Sequence, residues 1–234
     1  MELSEGLRST GAVRDFTDEP VPDDVLYGLL ETARFAPNGG NRQAWHVIVV
    51  RDPDTRRALR DLYLPAWYEY LPQMEAGLTP FAVVTDREAE ATARARAGEF
   101  AARGAATPGF AERLDEVPLL MVLTADLRNL ATLDRDLDRY TMVGGASIYP
   151  FAWSLLLAAH DVGLGGVFTS VAIPQEAELR TLFHLPDPVI VAGVLAFGYP
   201  AGKRATKLRR NPVEDFATFD RYDGPPVEGP VPSP

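Results

Sequence analysis

The stretch FAPNGGNRQAWHVIVV, residues 35–50, changes character twice, from the end of one apolar-periodic segment through a polar run to an unbroken apolar one. Upstream, in PVPDDVLYGLLETARFAP, Val25, Leu26, Leu29, Leu30 and Ala33 recur at helical spacing. Pro22 stands at the first turn, Asp23 and Asp24 lie beside the positive helix end, and Pro37 closes the segment. Downstream, WHVIVVRDP reads as a buried strand. Between them lie two glycines, two asparagines, an arginine and a glutamine, where a shorter loop suffices. Backbone freedom combined with side-chain amides and one cation suits an extended polar ligand; the alternative is a connection whose amides satisfy its own turns.

Working outward, DTRRALRDLY predicts a short helix with Leu59 and Leu62 inward. Residues 66–109 differ in composition: aromatic AWYEYL, then one Ala/Arg/Glu helix, REAEATARARAGEFAARG, with glycines and prolines between. They read as an insertion or lid. VPLLMVLTAD is a second strand. GGASIYPFAWSLLLAAHDVGLGG is a long apolar helix stopped by Gly163, and Pro150 implies either a kink or a later start. PQEAELRTLFHLP is amphipathic, and PVIVAGVLAFGYP is a further strand. The pattern predicts a single α+β domain over residues 1–222, with an antiparallel or mixed sheet between helices. A Pro/Gly-rich tail, residues 223–234, is expected to be extended or disordered.

The 234-residue chain is 46% apolar, enough for a core without staples, and it has no cysteine. Its net charge of −10 argues against nucleic acid as a partner. Its longest apolar runs fall short of the roughly 20 residues that span a bilayer, so no membrane partner and a cytoplasmic location are expected. Positive charge is local: Lys203, Arg204, Lys207, Arg209 and Arg210 in GKRATKLRRNP, and isolated Arg14 and Arg42. Such pockets favour a small anion over a polymer.

Other motifs fail. GLGGVF has Phe168 where a dinucleotide fingerprint needs its third glycine, and a helix precedes it. GGNRQ lacks the Lys-Ser/Thr pair of a P-loop, and GASIY lacks the last glycine of a nucleophile elbow. His46, His160 and His184 are scattered, so no metal is expected. An enzyme with no evident nucleophile, metal or acid/base dyad takes its chemistry from a cofactor.

Four blocks, VRDFTDEPVPDDVL, ARFAPNGGNRQAW, GLGGVFTS and LRRNPVEDF, resemble in order and spacing the signatures of the nitroreductase-like FMN flavoprotein family, over nearly the whole chain. The resemblance implies that family's α+β fold, an intertwined homodimer with FMN at its interface, and reduction by NADH or NADPH. Matched to the family's blocks, Arg14, in the block with Phe16, is a phosphate ligand. Pro37, Asn38, Gly39, Asn41, Arg42 and Gln43 line the ribityl chain and ring edge, with Ala36 and Trp45 completing their block. Gly163, Leu164 and Gly165 match the block after the long helix, placing Phe168, Thr169 and Ser170 against the flavin. Arg209 or Arg210, with Lys207 close by, is the second phosphate ligand. The chain departs from the family at Thr10, Gly11 and Ala12, where relatives carry further arginines and a serine, and at Asn38 and Ala44, where serine and proline are common.

The resemblance implies ping-pong chemistry: hydride passes from NAD(P)H to flavin N5, held roughly 3 to 3.5 Å from the donor carbon, and then to a flat acceptor such as a quinone or nitroaromatic compound. No side chain need be catalytic; a backbone N–H near Thr169 is expected to face N5. Trp67, Tyr68, Tyr70 and Phe81 are expected to roof the flavin, and Tyr149 lies near the family's interface helix. The alternatives are a specialised flavin enzyme for dehydrogenation, dehalogenation or flavin cleavage, and a non-catalytic flavin-binding or storage protein.

Overall fold

The computed structural model describes residues 1–203 and 208–229. Four strands, β1 (Trp45–Val49), β2 (Leu119–Asp126), β3 (Gly165–Thr169) and β4 (Val189–Gly198), form one antiparallel sheet in the order β1-β2-β4-β3. Ile48 lies opposite Val122, Val122 opposite Val194, and Val194 opposite Thr169. The sheet is thus antiparallel, one of the two arrangements that the sequence left open.

Both faces of the two inner strands are covered, which is why LLMVL and VLAF read as continuous apolar runs without alternation. On one face Met121, Leu123, Leu195 and Phe197 meet α2 (Asp23–Ala33) and α6 (Tyr149–Asp161), with Leu29, Phe151 and Leu155 buried between. On the other, Leu120, Val122, Val194 and Ala196 meet α3 (Pro53–Glu75) and α7 (Glu176–Leu182) through Leu59, Tyr63 and Leu179. Each of these buried leucines contributes about 1.5–3 kcal/mol. Edge strand β1 is only partly buried over Val47–Val49, where a buried strand was expected.

Several elements differ from the sequence reading. The short helix expected after Asp52 runs on to Glu75, through Pro65 and Pro72. Asp52 caps it by accepting from the Thr55 backbone N–H at 2.8 Å, and burial of Tyr63, Ala66 and Pro72 holds the stretch where proline costs a backbone bond. The helix therefore passes without a break through residue 66. The Ala/Arg/Glu segment forms two helices, α4 (Arg87–Arg94) and α5 (Ala97–Ala106), both packed on α3. Helix α6 begins at Tyr149 with Pro150 in its first turn, the later start of the two possibilities, and Gly163 follows it at φ +89°.

Strand β3 was not expected, because GLGGVF has little strand character of its own. Its glycines are required by packing: a Cβ on Gly165 would lie 2.7 Å from Val13, and one on Gly166 2.4 Å from the Phe197 ring. A first helix, α1 (Leu3–Ser9), precedes the segment that supplies Val13. The tail is not simply extended, since Val227 N–H donates to Ala217 O at 2.9 Å and Phe219 N–H to Pro225 O at 2.9 Å. Residues 230–234 lie outside the described residues. Among the described residues no helix is long and apolar enough to cross a membrane.

Candidate functional site

The residues after the first helix are laid beside the far edge of the sheet. Ala12 bridges Gly166, Val13 N–H donates to Gly166 O at 2.9 Å, Ala201 N–H to Asp15 O at 3.1 Å and Thr17 N–H to Tyr199 O at 2.8 Å. Arg14 is therefore fixed by backbone on both sides while its side chain remains exposed. Its charge reaches the buried Tyr63, whose hydroxyl pairs with Thr169 Oγ1 at 3.1 Å. Burial raises the Tyr63 pKa above its ordinary value, opposed by Thr169 and Arg14. One helical turn on, the Trp67 ring lies 6.3 Å from Tyr63 and stacks on Tyr70 at 5.5 Å. Arg14, Thr169, Trp67 and Tyr70 thus gather around Tyr63, a residue that the sequence reading did not single out. The signal was the spacing 63, 67, 70 on one face of a helix.

Phe168 points to the opposite face of the sheet, where its ring lies over Gly193 and meets Tyr149 edge-on at 5.6 Å. Ser170 follows, exposed, its carbonyl accepting from Ile173 N–H.

The polar loop is a single tight turn, Gly39–Asn41, with Gly40, Asn41 and Gln43 all left-handed at φ 62°, 52° and 49°. Two of these are not glycine, a conformation that persists only when neighbours enforce it. Asn38 does much of this: its Oδ1 accepts from Gln43 N–H at 2.9 Å and its Nδ2 donates to Ala36 O at 3.2 Å. Gly39 N–H donates to Ser147 Oγ at 3.0 Å, tying the loop to the start of α6 two residues before Tyr149. Gln43 Nε2 approaches Asn41 Oδ1 at 3.4 Å, and Pro37, Gly39, Asn41, Arg42 and Gln43 stay exposed.

Arg209 and Arg210 are exposed beyond Leu208, whose N–H donates to Arg8 O at 3.1 Å. Lys207 lies outside the described residues. Most arginines of this acidic chain pair with a carboxylate, as Arg34, Arg60, Arg94, Arg96 and Arg139 do. Arg14, Arg42, Arg209 and Arg210 bond none among the described residues; Arg210 donates only to Arg209 O. These four are among the cations that the sequence marks for an anion; exposed Arg8 and Arg113, which it does not mark, also pair with no carboxylate among the described residues.

Two of the aromatic residues serve the packing of α3 to α5. The Tyr68 hydroxyl bonds Glu112, and burial together with that carboxylate pushes its pKa up to about 12. Phe81 takes φ 55°, its N–H held by Gln73 Oε1 at 3.0 Å and its ring under the Arg94 guanidinium at 5.6 Å.

Within one chain these groups open onto separate clefts. Arg14 lines a narrow one with Phe16, Phe110 and Arg113. Gln43 lines one of about 500 Å³ with Trp45, His46, Asp126 and His184. Tyr149 lines one of about 440 Å³ with Thr132, Met142 and Ile190. Among the described residues no group of three or more His, Asp or Glu side chains is placed to hold a metal ion.

Residues 7–199 match the sequence model of the nitroreductase family. The chain belongs to that family, and it is an oxidoreductase. It is 29% identical over 217 residues to an NADH dehydrogenase of Thermus thermophilus, covering 81% of this chain and 82% of the relative. It is 26% identical over 221 residues to human iodotyrosine deiodinase 1, covering 92% and 67%. Among solved structures it resembles the NADPH:FMN oxidoreductase of Vibrio harveyi complexed with NAD+, with a TM-score of 0.63 and 18% identity over 94% of this chain and 77% of that one. A nitroreductase family protein of Clostridium difficile gives 0.62 and 19%, covering 94% and 99%. The family is FMN-dependent and takes its electrons from NAD(P)H.

Proposed function

We propose that the chain is an FMN-dependent NAD(P)H oxidoreductase that reduces a small flat acceptor, a quinone, nitroaromatic or related compound. The observation that carries this reading is the set of exposed guanidinium groups, Arg14, Arg42, Arg209 and Arg210, with no carboxylate partner among the described residues on a chain of net charge −10. The donor set fits the group. Arginine grips phosphate bidentately, Asn41 and Gln43 amides both donate and accept toward a hydroxylated chain, and the glycines of the loop let backbone approach closely.

When bound, FMN supplies the two-electron carrier that accepts hydride from NAD(P)H at N5 and passes it to the acceptor. Arg14 and the Arg209/Arg210 pair, with Lys207, hold the phosphate. Asn38 shapes the loop, and Pro37, Gly39, Asn41 and Gln43 line the cofactor. Arg42 places positive charge at the ring edge, where negative charge develops on reduction. Phe168, Thr169 and Ser170 present the end of β3 to the ring. Trp67 and Tyr70 stack on the acceptor and exclude water, while Tyr149, on the other face of the sheet, faces the seam with a second copy.

A second copy of the chain completes the site. Large apolar side chains stand open on this one, Leu133 at 88%, Met142 at 76% and Phe216 at 71% exposure, as an obligate interface requires. Residues 1–222 act as one domain in which residues 66–109 serve as the lid. Specialised reductive chemistry on an aromatic substrate is the second reading, supported by the likeness to the deiodinase.

Anaerobic mixing of the purified yellow protein with NADH or NADPH tests the proposal. Rapid bleaching, reversed by a quinone or nitroarene, is expected. A protein that stays colourless after incubation with FMN overturns the flavin assignment. One that holds FMN tightly yet bleaches sluggishly with both nucleotides overturns the reductase in favour of a storage protein.

A further inference from the structure

We propose that Tyr63 is a positioning residue that turns the hydroxyl hydrogen of Thr169 outward, making Thr169 a committed hydrogen-bond donor at the end of β3. The Tyr63 side chain is 2% exposed, and Thr169 Oγ1, at 3.1 Å, is its hydroxyl's hydrogen-bond partner among the described residues. A phenol has one hydrogen. Accepting from Thr169 would leave that hydrogen unbonded in an apolar setting, so Tyr63 donates. Thr169 Oγ1 also accepts from the Val171 backbone N–H at 3.4 Å. With both lone pairs engaged, Thr169 has only its own hydrogen left to offer, and no acceptor among the described residues takes it. The residue is half-buried, with Tyr63 and the chain turn at Val171 on its inner side. With its inner side taken by Tyr63 and Val171, Thr169 is left to offer its hydrogen toward the open side.

This inference rests on the reading that FMN lies against β3. A fixed donor there favours whichever form of the neighbouring ring carries more negative charge, that is, the reduced one. Without the Tyr63 hydroxyl, Thr169 is free to rotate and present a lone pair in place of its hydrogen.

The test compares Tyr63→Phe, Thr169→Val and the double variant with the wild type, each loaded with FMN, by spectroscopic redox titration and by FMN fluorescence quenching for affinity. Tyr63→Phe keeps the ring and removes the hydroxyl, so FMN affinity is expected to change by less than about threefold. The equilibrium between oxidised and reduced flavin is expected to shift about tenfold toward the oxidised form, about 30 mV for a two-electron couple. Thr169→Val is expected to give a shift of similar size, the double variant no more than Thr169→Val alone, and Thr169→Ser close to none. Bound FMN with an unchanged potential in Tyr63→Phe overturns the inference alone, as do shifts that simply add in the double variant. Wild-type protein that takes up no FMN overturns the functional reading and this inference with it.

Discussion

The side-chain oxygen of Asn38 accepts the backbone N–H of Gln43 at 2.9 Å, so the first amide of the polar loop holds its last residue at φ 49°. Glutamine pays for a left-handed backbone, and this bond is what keeps it there. Asn38→Ala is expected to cost about 0.5–1.5 kcal/mol in stability, the net contribution of one hydrogen bond at an exposed site. Because the loop is then no longer pre-formed, FMN affinity is expected to fall about tenfold as well. Chemical denaturation and fluorescence titration on one preparation check the two together. Asn38→Asp, which retains the acceptor, should recover most of the stability. Unchanged stability in Asn38→Ala would show that the turn stands without its amide.

Arg14 separates binding from folding more sharply. Its side chain has no carboxylate or carbonyl partner among the described residues, so Arg14→Ala should leave the melting temperature nearly unmoved. A lost charge-assisted contact to phosphate is worth about 1.5–3 kcal/mol, so FMN affinity should fall by about ten- to a hundredfold. The loss should shrink as salt is raised, since an exposed charge is screened. A variant that binds FMN like the wild type at low salt removes Arg14 from the phosphate site.

How much of this was legible in the sequence depends on where each residue's reason lies. Strands β1, β2 and β4 and helices α2, α6 and α7 announce themselves in their own apolar runs or helical spacing, and reading them required nothing distant. Strand β3 did not, because Gly165 and Gly166 are dictated by Val13 and Phe197, which come from elsewhere in the chain. The length of α3 was hidden by Pro65 and Pro72, which read locally as breakers and are overruled by the burial of Tyr63 and Ala66. At the candidate site, the sequence offers residue types, arginines suited to an anion and amides suited to a polyol. Partners were not legible. Tyr63 acquires its role from a hydroxyl 106 residues away, and Tyr68 is drawn from the proposed roof by Glu112.

Asp134 sets a limit on the acid stability of the segment that carries Met142 to the start of α6. Its carboxylate is buried, at 2% exposure, and accepts from Met142 N–H at 2.8 Å, from Arg139 Nη1 at 2.8 Å and from Val143 N–H at 3.3 Å. The Met142 N–H above all, then Arg139 and Val143, hold its pKa below the ordinary carboxylate value against the opposing effect of burial. A depressed folded-state pKa means stability that is present above the unfolded value, about 3.9, and lost as pH falls toward the folded one. Asp134→Asn should therefore melt below the wild type at neutral pH, and the gap should close as pH drops below about 4. Melting curves of the two proteins across that range decide it. A gap that stays constant would mean that the carboxylate charge contributes nothing.

The aromatic residues divide into two groups with opposite expected phenotypes. Trp67 stacks on Tyr70 beside the Tyr63–Thr169 pair, whereas Tyr68 turns to Glu112 and the space over Gly104. If the acceptor lies against the first pair, Trp67→Ala should change the ratio of kcat/KM for a quinone to that for a nitroarene by about tenfold, since an offset stack is worth about 0.5–1.5 kcal/mol beyond its buried area. Tyr68→Ala should leave that ratio alone and lower the melting temperature, because it removes a partly buried hydroxyl–carboxylate bond that ties α3 to the turn after α5. Tyr68→Phe should fall between, keeping the ring and losing the bond. Steady-state kinetics with both acceptors, at a fixed NADH concentration and on protein saturated with FMN, separate the two outcomes. A specificity change in Tyr68→Ala equal to that in Trp67→Ala would mean that the whole segment moves as one body over the acceptor.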